Sequence, residues 1–188
     1  MPSPAVFLPD TPHDLVDFFK SWDALPKQGL IPRLSDYLDA APIELQPNVT
    51  IVDVHAPDKL TVRLFGTGLE DVSGIYPTSE DLMLLFSKAI QEKAKRMVWV
   101  VVTHPVGYVC VRRCQTAEGL VYDVPAICLP IAVAGPGPYG FITYASVVDA
   151  SQTMMLEENL EMVQDVQFVQ WLDLGNGMPP VPPQAPPQ

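Results

Sequence analysis

Residues 121–133 are apolar in both parities, with Val121, Ile127, Leu129 and Ile131 alternating with Tyr122, Val124, Ala126 and Cys128. Successive residues of a strand point to opposite faces, so a sheet built on this segment is apolar on both sides. Such a sheet must be covered on both faces, which forces a layered arrangement of helices around it. Helices inserted between the strands can supply one cover. The other falls to the terminal helices or to a second copy of the chain.

Periodicity places the remaining elements. Thr11-Pro12-His13-Asp14 opens a helix to about Ala24, with Leu15, Phe18, Phe19 and Trp22 on one side. A short helix follows over 35–40. Residues 49–55 and 60–66 read as strands joined by the turn Ala56-Pro57-Asp58-Lys59, and so as a hairpin. One helical turn over 68–73 is broken by Gly74, and a helix is expected from about residue 79. Val98 to Val102 has strand propensity, yet Ile90, Ala94, Met97, Val98 and Val101 form a helical stripe, so a helix ending before Pro105 is preferred. Three strands follow, over 106–115, 121–133 and 139–148. Leu156, Leu160, Val163, Val166 and Val169 then predict a long last helix over 151–174, stopped by Gly175.

The expected layout is therefore α+β, with a five-stranded antiparallel sheet flanked by helices. It divides into an N-terminal helical cap (1–48), a core (49–148), a C-terminal helix (149–177) and a tail (178–188). Six of the 21 prolines fall in that tail, which can form neither a helix nor a central strand. It is expected to be extended or disordered and solvated, or a ligand for an aromatic groove.

Composition narrows the function. Lys and Arg number 11 against 22 Asp and Glu, for a net charge of −11 and a pI near 4.5. Nucleic-acid affinity rests on clustered cations, and anionic lipid surfaces repel such a chain, so neither is an expected partner. No apolar run reaches the length of a membrane helix, and Met1-Pro2-Ser3-Pro4 is unlike a signal peptide. Three cysteines cannot all pair. A soluble, reduced, cytoplasmic protein is expected.

The order of hairpin, short helices and three closing strands resembles a PAS domain, and in particular the PAS-like family of small bacterial proteins with little beyond that domain. The residues that carry the resemblance are Trp22 with Ile31-Pro32-Arg33, and Leu45-Gln46-Pro47-Asn48-Val49-Thr50-Ile51-Val52-Asp53-Val54. Val62-Arg63-Leu64-Phe65-Gly66-Thr67 with Gly74, and Leu129-Pro130-Ile131, complete it. The resemblance spans roughly residues 15–148 and implies a sensory or regulatory role in signal transduction, through a small ligand, protein contacts or both. A ligand-free interaction module and a small enzyme using the cavity are the alternatives. Homodimerisation through terminal helices would cover the open sheet face, and Phe18, Phe19 and Trp22 are a candidate contact surface.

Individual residues are weighed in the same way. Gly66-Thr67-Gly68 follows a strand and precedes a helix, but Asp71 stands where a dinucleotide fingerprint needs its third glycine, so the loop reads as structural. Cys110, Cys114, Cys128 and His104 lack the paired spacing of a zinc site and read as small buried residues, so no metal is assigned. No nucleophile elbow or carboxylate pair points to catalysis, and no cofactor is assigned. An enzyme would need Arg63, His104 and Asp123 to converge. The candidate ligand-binding residues are Arg63, Trp99, Tyr108, Tyr122 and Tyr144. Arg63 either forks onto a ligand carboxylate or pairs with Asp53 across the hairpin. The four aromatics either line a pocket between sheet and helices or fill the core.

Overall fold

The computed structural model describes residues 7–116, 121–134, 139–147 and 160–179. The chain passes through α1 (His13–Asp23), the small hairpin β1 (Lys27–Gln28) and β2 (Ile31–Pro32), α2 (Leu34–Ala40), β3 (Val49–Ala56) and β4 (Lys59–Phe65). It continues with α3 (Thr67–Ser73), α4 (Gln91–Thr103), β5 (Val106–Thr116), β6 (Val121–Ile131), β7 (Gly140–Ala145) and β8 (Leu160–Asp173). Tight 3-10 turns at Gln46–Asn48 and Leu82–Leu85 precede β3 and α4. The helix expected from about residue 79 is not formed. Ser79 stands in the left-handed region at φ 72°, the Asp81 carboxylate accepts the Met83 N–H at 3.0 Å to open only the 3-10 turn, and α4 begins at Gln91. Gly74 ends α3 in the left-handed region at φ 68° and donates its N–H to the Glu70 carbonyl.

The main sheet has the order β4-β3-β7-β6-β5-β8, and every pair in it is antiparallel. Helices cover both of its faces. On one face α3, the Leu82–Leu85 turn and α4 pack on Val52, Val54, Val62, Tyr108, Cys110 and Phe141. On the other, Leu15, Phe18, Phe19 and Trp22 of α1, with Leu34 and Tyr37 of α2, pack on Ile51, Ile127, Leu129, Ile131 and Ile142. The two-sided apolar pattern of β6 is thus answered within one chain. The apolar side of α1 is buried and is no contact surface for another protein, and covering the sheet requires no second copy.

The C-terminal segment corrects the sequence reading. Leu160 to Asp173 is a strand rather than a helix, and the sheet has six strands instead of five. The reason lies in register. Three irregularities break the β5–β8 ladder, so that Tyr108 pairs with Trp171, Cys110 with Phe168, Arg112 with Val166 and Cys114 with Val163. The helix-facing residues of β8 are therefore 163, 166, 168 and 171, at spacings of 3, 2 and 3. Extra residues at bulges convert the two-residue period of a strand into an imitation of the helical one. The residue types gave the opposite signal, for Val163, Val166, Phe168 and Trp171 are all strand formers. The first nine residues of the expected helix (151–159), the turn residues 117–119 and 135–138, the amino-terminal residues 1–4 and nearly all of the Pro-rich tail (180–188) lie outside the described residues.

Candidate functional site

Strand alternation aims Tyr108, Cys110, Arg112 and Cys114 of β5 at the α3–α4 layer. Two cavities lie there. The larger, about 80 Å³, is walled by Phe65, Leu69, Val72, Leu85, Val124 and Val147 among others. The smaller, about 40 Å³, lies among Thr50, Phe86, Val98, Tyr108, Phe141 and Thr143. Leu85, Arg112 and Val163 belong to the walls of both, and Arg112 is the one charged residue in either lining. Thr50 and Thr143, opposite each other on β3 and β7, are the polar residues buried in the described core.

Arg112 is half-buried, with the thiols of Cys110, Cys114 and Cys128 and the phenol of Tyr108 around it. Among the described residues it forms no ion pair. Its neighbour Arg113, on the opposite face, is held by Asp123 through two hydrogen bonds of 2.9 and 3.0 Å. A guanidinium stays protonated at any physiological pH, so the helix-side space contains a permanent positive charge.

The five residues expected at the site do not come together. Tyr108 lines the smaller cavity and meets Trp171 edge to face at 5.8 Å. Tyr122 and Trp99 pack part-buried against the same core, Trp99 with Tyr139 at 6.4 Å, but neither belongs to the walls of these two cavities. Tyr144 lies on the far face of the sheet. It stacks on Phe18 at 5.1 Å and donates to the Asp14 carboxylate at 3.2 Å, which anchors the start of α1. Arg63 is exposed on β4 and takes the cross-hairpin arrangement, its Nε donating to Asp53 Oδ1 at 2.8 Å. Arg112 was not among the candidates, although its parity with Tyr108, Cys110 and Cys114 places it on their face.

Other constellations resolve into structural roles. Gly66 and Gly68 open α3 against the turn at Gln46–Asn48, and a Cβ on Gly68 would lie 2.6 Å from the Asn48 side-chain oxygen. Close packing explains this glycine pair without a phosphate. Among the described residues no three of His, Cys, Asp and Glu are grouped as a metal ion would require. His104 instead reaches the Gly177 carbonyl at 3.0 Å. Arg63, His104 and Asp123 each sit in a separate contact, with Asp53, Gly177 and Arg113. No described helix is long and apolar enough to cross a membrane.

The three thiols are buried, and burial raises each of them. Cys114 is pushed up from 9.0 to about 11 by burial, against the opposing pull of Arg112. A folded-state value above the unfolded one favours the neutral thiol in the fold. The stabilisation is therefore complete below about pH 9 and is lost as pH rises through 11. Urea melts under reducing conditions are expected to lose about 2–3 kcal/mol through Cys114 over that range, and Cys114→Val to remove that share of the loss. An alkaline limb of equal size in the variant would assign the pH dependence to other groups.

A sequence model of the PAS domain family matches residues 11–138. A search of curated proteins returned no match. Among solved structures, the chain is similar to the PAS domain of a protein from Colwellia psychrerythraea, at 14% identity and a TM-score of 0.41, over 52% of this chain and 82% of that one. It is also similar to an RNA-binding light-oxygen-voltage receptor, at 18% identity and a TM-score of 0.46, over 80% of this chain and 41% of the other. A fungal LOV-domain photoreceptor aligns at 14% identity and a TM-score of 0.43, over 71% and 92% respectively. These distant likenesses carry no functional information for this chain. The match over residues 11–138 takes in well over half of the 188 residues and includes the hairpin, both short helices, α4 and the long strand pair, and the chain belongs to the PAS domain family.

Proposed function

We propose that the chain is a sensory module in which a small molecule, held between the sheet and the α3–α4 layer, biases the domain between two states read by another protein. Membership in the PAS domain family supports a sensory or signalling role in general. The observation that carries the ligand reading is the pair of cavities meeting at Leu85, Arg112 and Val163, a mostly apolar space with one cation. Binding sites of this kind combine apolar walls with a few placed polar groups. A ligand shifts such an equilibrium only by its differential affinity for the two states.

The small volumes of these two cavities favour a second reading, in which side chains fill the space between the sheet and the α3–α4 layer and the domain works through protein contacts alone. Native and denaturing mass spectrometry of the purified protein separates the two. A mass increment present in the native spectrum and lost on denaturation is expected, and Leu85→Trp, which fills the shared wall, is expected to abolish it. A bare mass in both spectra, with no small molecule shifting the melting temperature, supports the interaction module instead.

A further inference from the structure

Resting on the reading of this space as a ligand site, we infer that its ligand is a small aliphatic monocarboxylate, held by the Arg112 guanidinium where the two cavities meet. Leaving a charge inside a protein without a counter-charge is costly, and such groups are normally paired. Arg112 meets thiols, a phenol and apolar side chains, and among the described residues no carboxylate pairs with it. Lys93 on α4, by contrast, is already engaged, donating to the Val166 carbonyl at 2.6 Å and facing Asp165 at 3.5 Å. One guanidinium thus remains to be neutralised from outside the described residues.

The chemistry of the walls selects the anion. A guanidinium presents a planar fork that matches the two oxygens of a carboxylate. A phosphate dianion would bring a second negative charge into a space whose described walls hold no cation besides Arg112, and its desolvation would oppose binding. The rest of the lining suits an alkyl tail, with Leu69, Val72, Leu85, Val124 and Val147 on one side of Arg112. On the other side, the Thr50 and Thr143 hydroxyls offer donors to a carboxylate oxygen. Volume limits the tail. An apolar cavity of about 150 Å³ accepts the six carbons of benzene. On the same scale the space of about 80 Å³ suits a tail of roughly three carbons, with the carboxylate toward the space of about 40 Å³, and butanoate is expected to be the better acid.

The test uses the full chain, with butanoate and hexanoate as probes and butanamide, hexanamide and 1-hexanol as neutral counterparts. Calorimetric titration of the wild-type protein is expected to show the better acid binding at least 10-fold more tightly than its amide. Arg112→Met, which keeps the length of the side chain, is expected to lose at least 10-fold in acid affinity and to leave the amide unchanged. Without ligand, the same variant is expected to melt no lower than wild type, because it removes an unpaired cation. Acid affinity equal in the two proteins overturns the inference, and so does a large drop in the melting temperature of unliganded Arg112→Met. Neutral probes that bind while acids do not overturn the carboxylate and leave the cavity reading standing. Failure of every probe at millimolar concentration, with no shift in melting temperature, overturns both.

Discussion

Trp22→Ala is expected to destabilise the protein by about 3–5 kcal/mol, a loss visible as a fall of roughly 6–20 °C in melting temperature. Trp22 has no exposed surface, and it is the largest of the fully buried side chains. Its removal leaves a hole among Phe19, Leu129 and Ile131 that their neighbours cannot close without moving β6. The indole also donates to the Pro130 carbonyl at 3.1 Å, and that buried acceptor loses its donor. Trp22→Phe keeps most of the volume and forfeits the hydrogen bond, so a smaller cost of about 1–3 kcal/mol is expected. Urea denaturation followed by circular dichroism measures both. An unchanged transition in Trp22→Ala would mean that residues 1–48 form an appendage to an independently stable core. The expected loss means that α1 is one wall of a single three-layer unit.

Gly66→Ala is expected to cost about 3 kcal/mol or more, although its backbone, at φ −69° and ψ 146°, is one that alanine adopts freely. The obstacle is space. A Cβ there would lie 2.6 Å from the Pro47 carbonyl carbon and 2.8 Å from the Gln46 oxygen. Both are backbone atoms, and no change of rotamer relieves the contact. Gly29 supplies the contrast, with φ at 72° and nothing within 4 Å of the place a methyl group would take. Gly29→Ala is expected to cost about 1 kcal/mol, through backbone strain alone. Melting temperatures of the two variants under one condition settle the order. Equal stabilities would remove the packing explanation for the Gly66-Thr67-Gly68 loop.

Most of the fold is legible in the residues, because most elements obey a single period. The stripe of Leu15, Phe18, Phe19 and Trp22 gives α1, and the turn at Ala56 to Lys59 gives the β3–β4 hairpin. Even α4 follows its apolar stripe against the strand propensity of Val98 to Val102, with Ala94, Val98, Val101 and Val102 buried in it. β8 was not legible by spacing, because its register is set by a partner some fifty residues earlier in the chain and is interrupted by bulges that no local pattern announces. The site divides in the same way. The pairing of Arg63 with Asp53 follows from adjacency across a hairpin. Tyr144 could not be assigned to a face until the register of β7 against β3 was known, and that register aims it at Phe18. Arg112 was within reach of parity reasoning. Of the adjacent pair Arg112-Arg113, one residue must share the face of Tyr108, and a cation on a covered face is the anomaly that marks a site.

The placement of β8 also has a consequence for the making of the protein. Val106 to Thr116 stays an open edge until the chain has been synthesised to its partner strand, and Leu172 completes the same apolar layer that begins with Leu15 and Trp22. At common rates of translation, on the order of 10 s separates the emergence of α1 from that of β8. Within that interval the aromatic side of α1 waits for β6 and β7, and the β5 edge then waits for β8, a period in which chaperones have access and aggregation competes. Variants that weaken the β5–β8 ladder should accordingly be recognised first in cells, by a lower yield of folded protein, before any loss of signalling is measurable.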